Sequence, residues 1–252
     1  MVGVTQLRNV VYLVCDLSST IGRFDATTHR RLTDVDVKGL RSPTDIVACE
    51  QTSQLYVADE ECIWRVSSNG EDIMQWPPES PSDVFKPLTL SVTAARLLVT
   101  SLDPSQLIQF DANGSELTHV RLWEYRDPRH AVESPNQTFI VSHGSWELTD
   151  YCVSEVDTEG QVLRQFCGSR LSSPSWYLPR IAADSRGNVF VAEFDSCRVL
   201  LLDAQLVLRR VITDERQLTK MKPRCMCYRE QSGQLLVGTD SNSIAVFGVL
   251  RC

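Results

Sequence analysis

The chain repeats itself, and the period constrains the fold more than any other feature. Short apolar runs recur at Val10–Val14, Leu55–Val57, Leu97–Val99, Phe139–Val141, Val189–Val191 and Leu235–Val237. A second run follows each one, beginning at Ile21, Ile63, Leu107, Val153, Val199 and Ile244, so the spacings are 42, 44, 46, 46 and 45 residues. Prolines 43, 87, 128, 179 and 223 open five of the units. Self-similarity at this period marks an array in which no unit buries its apolar surface alone. The units read as residues 1–42, 43–86, 87–127, 128–178, 179–222 and 223–252 of one domain spanning 1–252.

Each unit is built from strands. The runs are four to six residues of Val, Ile, Leu and aromatics, bounded by Gly, Asn, Asp and Ser. Asn69-Gly70 and Asn113-Gly114 follow the second run and read as tight turns, with Glu159-Gly160 in the same place. Upstream, Ser185–Asn188 and Gln231–Gln234 separate an earlier strand from the first apolar run. The unit is therefore a four-stranded antiparallel meander, and six of them predict an all-β, six-bladed β-propeller with four-stranded blades. The second strands are apolar on consecutive residues, as fits a strand covered on both faces. Two placements are open for Val2 to Leu7: the innermost strand of the first blade, or the missing strand of the last.

Composition removes other classes. Hydrophobic residues make up 42% and charged residues 23% of the 252, the balance of an ordinary globular domain. Twenty-five Lys and Arg against 32 Asp and Glu give a net charge of −7, unfavourable for general nucleic-acid or anionic-membrane binding. No apolar run approaches the length of a membrane span, and no signal-peptide pattern opens the sequence. The nine cysteines are odd in number and irregular in spacing, which predicts reduced thiols and a cytoplasmic location.

Two units resemble a known repeat. Leu55-Tyr-Val-Ala-Asp through Asn69-Gly70, and Pro179-Arg-Ile-Ala-Ala-Asp-Ser-Arg-Gly-Asn188 through Asp203, resemble the NHL repeat. Where that repeat has Asn-His-Leu this chain has Glu61-Cys62-Ile63 and Ser196-Cys197-Arg198. The resemblance implies a six-bladed propeller of the kind found at the C-terminus of tripartite-motif proteins. Those are longer multidomain proteins carrying RING and B-box zinc domains, for which this chain has no Cys/His pattern.

Candidate chemistry is sparse. His29, His119, His130 and His143 lack zinc-ligand spacing, and only His130 and His143 are expected near the axis or loop face, one ligand short of a three-histidine lyase site. Glu133, Asp184 and Asp45, on innermost strands, offer a calcium-hydrolase alternative but read more simply as turn caps or partners of arginines. The recurring acids Asp16, Asp59, Asp103 and Asp240 read as architectural because they recur. The expectation is a non-catalytic interaction module without cofactor or metal, binding a protein or peptide partner through its loop face, with single-stranded RNA as the alternative. Trp146, Trp176 and Tyr177 stand on the longest loops, and binding hot spots are rich in such side chains. Arg129, Arg180 and Arg224 each follow a unit-opening proline and are expected on one arc of that face.

Overall fold

The computed structural model describes residues 1–77, 86–122, 127–144, 150–169, 179–214, 216–218 and 221–249. Its strands form six antiparallel sheets, taken in sequence order. Blade 1 contains β1 (Gly3–Leu7), β2 (Val10–Val14), β3 (Thr20–Asp25) and β4 (Val35–Asp36). Blade 2 contains β5 (Asp45–Cys49), β6 (Gln54–Ala58), β7 (Ile63–Ser67) and β8 (Ile73–Trp76). Blade 3 contains β9 (Pro87–Thr93), β10 (Arg96–Leu102), β11 (Ser105–Phe110) and β12 (Glu116–Arg121). Blade 4 contains β13 (His130–Glu133), β14 (Phe139–Gly144), β15 (Asp150–Val156) and β16 (Val162–Ser169). Blade 5 contains β17 (Arg180–Ala183), β18 (Val189–Glu193), β19 (Arg198–Leu202) and β20 (Leu208–Thr213). Blade 6 has three strands among the described residues: β21 (Pro223–Arg229), β22 (Gln234–Thr239) and β23 (Ile244–Gly248).

The innermost strands close a ring. β1 packs on β5, β5 on β9, β9 on β13, β13 on β17, β17 on β21, and β21 returns to β1. Val2 to Leu7 therefore belongs to the first blade, where β1 pairs with β2 from Gly3↔Val14 to Leu7↔Val10. Among the described residues no strand crosses from one blade to another, and each blade is one contiguous stretch.

Buried apolar side chains gather between blades rather than in one central mass. Tyr12, Val14 and Val35 of blade 1 meet Ile46, Leu55 and Val66 of blade 2. Trp76 of blade 2 meets Leu90, Val99 and Phe110 of blade 3, with edge-to-face rings at Tyr56–Trp76 and Trp76–Phe110. Equivalent clusters join blades 3 and 4, 4 and 5, 5 and 6, and 6 and 1. This explains the unbroken apolar runs: β6, β14 and β18 are buried on both faces because a neighbouring blade covers each one.

Aspartates hold the turns between third and fourth strands. Asp111 Oδ1 accepts the backbone N–H groups of Asn113 and Ser115, Asp157 those of Glu159 and Gln161, and Asp203 those of Gln205 and Val207. The backbone bond from Ser115 helps hold the Asp111 carboxyl below its usual range. Gly114 and Gly160 occupy the left-handed position of these turns, with φ of 94° and 81°.

One sequence expectation fails. Cys152 and Cys167 are joined by a disulfide across β15 and β16, whereas reduced thiols were expected. The two residues stand directly opposite each other in the β15–β16 ladder, with Cα atoms 4.2 Å apart. Cys15, Cys49, Cys62, Cys197, Cys225 and Cys227 are free thiols.

Candidate functional site

Strand register defines one layer of six equivalent residues at the start of the innermost strands. Gly3, Asp45, Thr89, His130, Arg180 and Cys225 face Val14, Ala58, Thr100, Ser142, Ala192 and Gly238. In turn those six face Ile21, Ile63, Leu107, Val153, Val199 and Ile244, the residues that open the repeated second runs. In a closed ring of six, blades 2 and 5 are diametrically opposite, so Asp45 and Arg180 confront each other across the axis.

They make an ion pair. Arg180 Nη1 donates to Asp45 Oδ2 at 3.2 Å, and its Nη2 donates to the Thr44 carbonyl, also at 3.2 Å. The Leu90 N–H donates to the same Asp45 oxygen at 3.0 Å, and Ile46 N–H donates to Oδ1 at 2.9 Å. His130 lies beside them, bridging blades 3 and 5: Ile181 N–H donates to Nδ1 at 3.1 Å, and Nε2 lies 3.1 Å from the Leu90 carbonyl. A ring that accepts at Nδ1 and donates at Nε2 is the neutral tautomer. Burial depresses its pKa against the opposing pull of the Asp45 carboxylate, and the nearby Arg180 charge adds to the effect of burial. Cys225, in the same layer, has its thiol pushed up to about 12, chiefly by burial.

A cavity of about 550 Å³ begins at this layer. It runs between the innermost strands to the turns that join first and second strands, where Arg8, Glu50, Thr93, Pro135, Ser185 and Gln231 form its rim. Thr44, Arg129 and Arg224, on the other side of the layer, are not part of its wall.

The sequence-predicted residues separate accordingly. Arg180 belongs to the axial layer. Arg129 and Arg224 each precede a layer residue, His130 and Cys225, and both are half-buried. Simple counting from the proline placed all three at one position. Blade 5 has one residue fewer between its proline and the layer, which moves Arg180 a step along the axis. Trp146, Trp176 and Tyr177 lie outside the described residues.

The acids offered as metal ligands do not converge. Glu133 accepts from Arg96 Nη2 at 2.6 Å and Gln109 Nε2 at 2.9 Å, and Asp184 caps its turn through the N–H groups of Arg186 and Asn188. His29 sits in the β3–β4 connection and His119 on β12, bonded to Gln106 at 2.8 Å. His143 Nε2 lies 2.8 Å from Ser154 Oγ, and burial lowers its pKa to about 4. Among the described residues no group of three or more His, Cys, Asp or Glu is arranged to hold a metal ion. Asp59 accepts from the N–H groups of Arg41, Ser42 and Glu60, and Asp240 from that of Lys222. Those two acids tie the loop that enters each blade.

The six radial sheets and the braced axis define the molecule as a six-bladed β-propeller. No family model matches the sequence, and no curated protein is significantly similar to it. Solved structures match it as a fold. Kuenenia stuttgartiensis hydrazine synthase superposes with a TM-score of 0.66 at 13% identity, over 98% of this chain and 83% of that one. A streptogramin B lyase structure gives 0.64 at 11% identity, over 99% and 83%. The WD40 β-propeller domain of Doa1 gives 0.65 at 15% identity, over 98% and 91%. No helix is long and apolar enough to cross a membrane among the described residues.

Proposed function

We propose that this propeller is a non-catalytic interaction module that binds a protein or peptide partner through the face where the interblade loops emerge. One observation carries the reading. The side chains at the axis with catalytic potential, Asp45, His130 and Arg180, are committed to backbone groups and to one another as braces. Recognition is then left to the loop side of the layer, where Arg129 and Arg224 sit and where the loops bearing Trp146, Trp176 and Tyr177 belong by sequence. An arginine can fork onto a carboxylate and stack on a ring, so a segment combining acidic and aromatic groups suits this face. The same surface chemistry would serve single-stranded RNA, which the net charge of −7 disfavours. We also propose NHL-type ancestry for the repeat, on the motif residues of the second and fifth units. A cytoplasmic location is proposed from the six thiols that stay free among the described residues, and it is abandoned if cell fractionation finds the protein in an oxidising secretory compartment.

The test is capture by the intact propeller with and without nuclease, repeated with Arg129→Ala, Arg180→Ala and Arg224→Ala. The reading requires nuclease-resistant capture, weakened by about 1–3 kcal/mol in Arg129→Ala or Arg224→Ala, with melting temperature followed in parallel. Nuclease-sensitive capture favours RNA, and unchanged affinity in all three variants ends the arginine hypothesis.

A further inference from the structure

Among the described residues blade 6 differs from the other five in a way that points to a second interaction surface, independent of the loop face. In each other blade the fourth strand sends an apolar side chain into the cluster shared with a neighbouring blade. These are Val35 of β4, Trp76 of β8, Val120 of β12, Phe166 of β16 and Ile212 of β20. The same strands rest on the third-to-fourth-strand turn of the next blade. A Cβ on Gly70 would touch Val35, one on Gly160 would touch Val120 and the Arg121 carbonyl, and Arg164 Nη1 donates to the Ala204 carbonyl. Among the described residues the buried cluster between blades 6 and 1 is Met1, Val4, Val11, Cys225 and Leu236, with Leu13, Cys15, Phe24, Ala26, Cys227 and Ile244 partly exposed at its edge. A cleft of about 440 Å³ lies there, lined by Ile244 and Val246 of β23 and by Phe24, Asp25, Ala26 and His29 of the blade 1 turn. That is the place the other blades give to the fourth strand's apolar side chain.

The edge of β23 is ready for a strand. Thr239 N–H donates to the Ser243 carbonyl and Val249 N–H to the Gly233 carbonyl, so Ser243 and Val249 turn their backbone toward β22. By the alternation of an antiparallel ladder, Ala245 and Phe247 do the same, and Ile244, Val246 and Gly248 present N–H and C=O outward. Val246 is 46% exposed, and a Cβ on Gly248 would meet nothing. The corresponding strand β19 is buried over its last four residues. Exposed edges are normally guarded by charge. Four of the five outer strands follow that rule, with Asp36 on β4, Glu116 and Arg121 on β12, Arg164 on β16, and Arg209 and Arg210 on β20; β8 is uncharged, and residues 241–249 carry no charge at all.

We propose that β23 accepts an extended strand of a partner polypeptide, which pairs antiparallel along Ile244–Gly248 and inserts one large apolar side chain into the cleft against Phe24. The five complete blades define this occupant: a single strand with an apolar residue facing blade 1, not a bulky domain.

The probe is a capped peptide of residues 206–214, which contains β20 with its Ile212, and its Ile212→Asp counterpart. Residue-resolved amide exchange on the intact chain is expected to show Ile244, Val246 and Gly248 gaining at least tenfold protection with the first peptide, Ala245 and Phe247 being protected already. The Asp peptide should bind at least tenfold more weakly. Val246→Pro removes an outward N–H and no bond to β22, so this variant should melt as the parent does and lose peptide binding. Val246→Lys provides a second variant that keeps the N–H and guards the edge by charge. Absence of protection on β23, or binding within twofold of the parent by both variants, overturns the proposal. Protection of the three amides without peptide also overturns it: if it rises with protein concentration the occupant is a second copy, and if not, the chain covers its own edge. None of these outcomes bears on Arg129 or Arg224, so failure here leaves the loop-face reading standing.

Discussion

At the residue scale the axis is held by charge in place of apolar packing. Asp45 is 6% exposed, and its carboxylate accepts from Arg180 and two backbone N–H groups. Removing one member of such a pair leaves the other charge buried, so Asp45→Ala should cost about 3–5 kcal/mol in urea unfolding. The double variant Asp45→Leu with Arg180→Leu should recover much of that loss, and a double-variant loss equal to the sum of the two single losses would argue that the pair is not coupled. The buried histidines make stability depend on pH. His143 has a folded pKa of about 4, so below about 6.5 the unfolded chain takes up a proton that the folded one refuses. Its contribution is complete above that pH and is lost as pH falls from 6.5 toward 4, roughly 2 kcal/mol between pH 7.5 and 5. His130 acts in the same direction. His143→Gln should flatten the profile, and an unchanged slope would place the titration elsewhere. The sequence offered Asp45, on an innermost strand, as a partner of arginines, expected His130 near the axis or loop face, and set Arg180 on the loop-face arc with Arg129 and Arg224. It could not show that the acid stands across the ring, because that depends on closure and on one missing residue after Pro179.

Elements were the most legible level, because each strand is specified by its own alternation and bounding turns. The departures come from register. Between Glu155 and Val156 the β15–β16 pairing shifts by one residue, and this shift brings Cys152 opposite Cys167. Counting back from the Glu159-Gly160 turn without the bulge sets Cys152 against Phe166, so no inspection of cysteine spacing reveals the bridge. β1 shows a similar dependence on close approach. A Cβ on Gly3 would lie 2.6 Å from the Ile46 backbone nitrogen, which cannot yield without moving β5. Gly3→Ala should therefore destabilise by about 1–3 kcal/mol, measurable as a lower melting temperature, while the exposed Gly248→Ala should change stability by less than about 0.5 kcal/mol.

For the whole molecule, six units and their radial order followed from the period alone, whereas the manner of closure did not. Both placements of Val2 to Leu7 satisfied its pattern, and only packing against β5 and β21 distinguishes them. The result is a ring whose blades 6 and 1 meet over five buried residues, with the Met1 ammonium bonded to Asn242, while Asp45, His130 and Arg180 link blades 2, 3, 4 and 5. Native-state amide exchange in low denaturant should accordingly release β1, β2, β21 and β22 as a lower-energy unit before the strands of blades 2 to 5. Simultaneous release of all six blades would show that the seam is as strong as the other joints. The axial brace has one more consequence. The Asp45–Arg180 pair spans the ring from blade 2 to blade 5, so it stands across the axis at one end of the cavity that opens past Arg8 and Glu50. A molecule seated in that cavity and another held on the opposite face would stand on opposite sides of the pair, so both can be present together without competing.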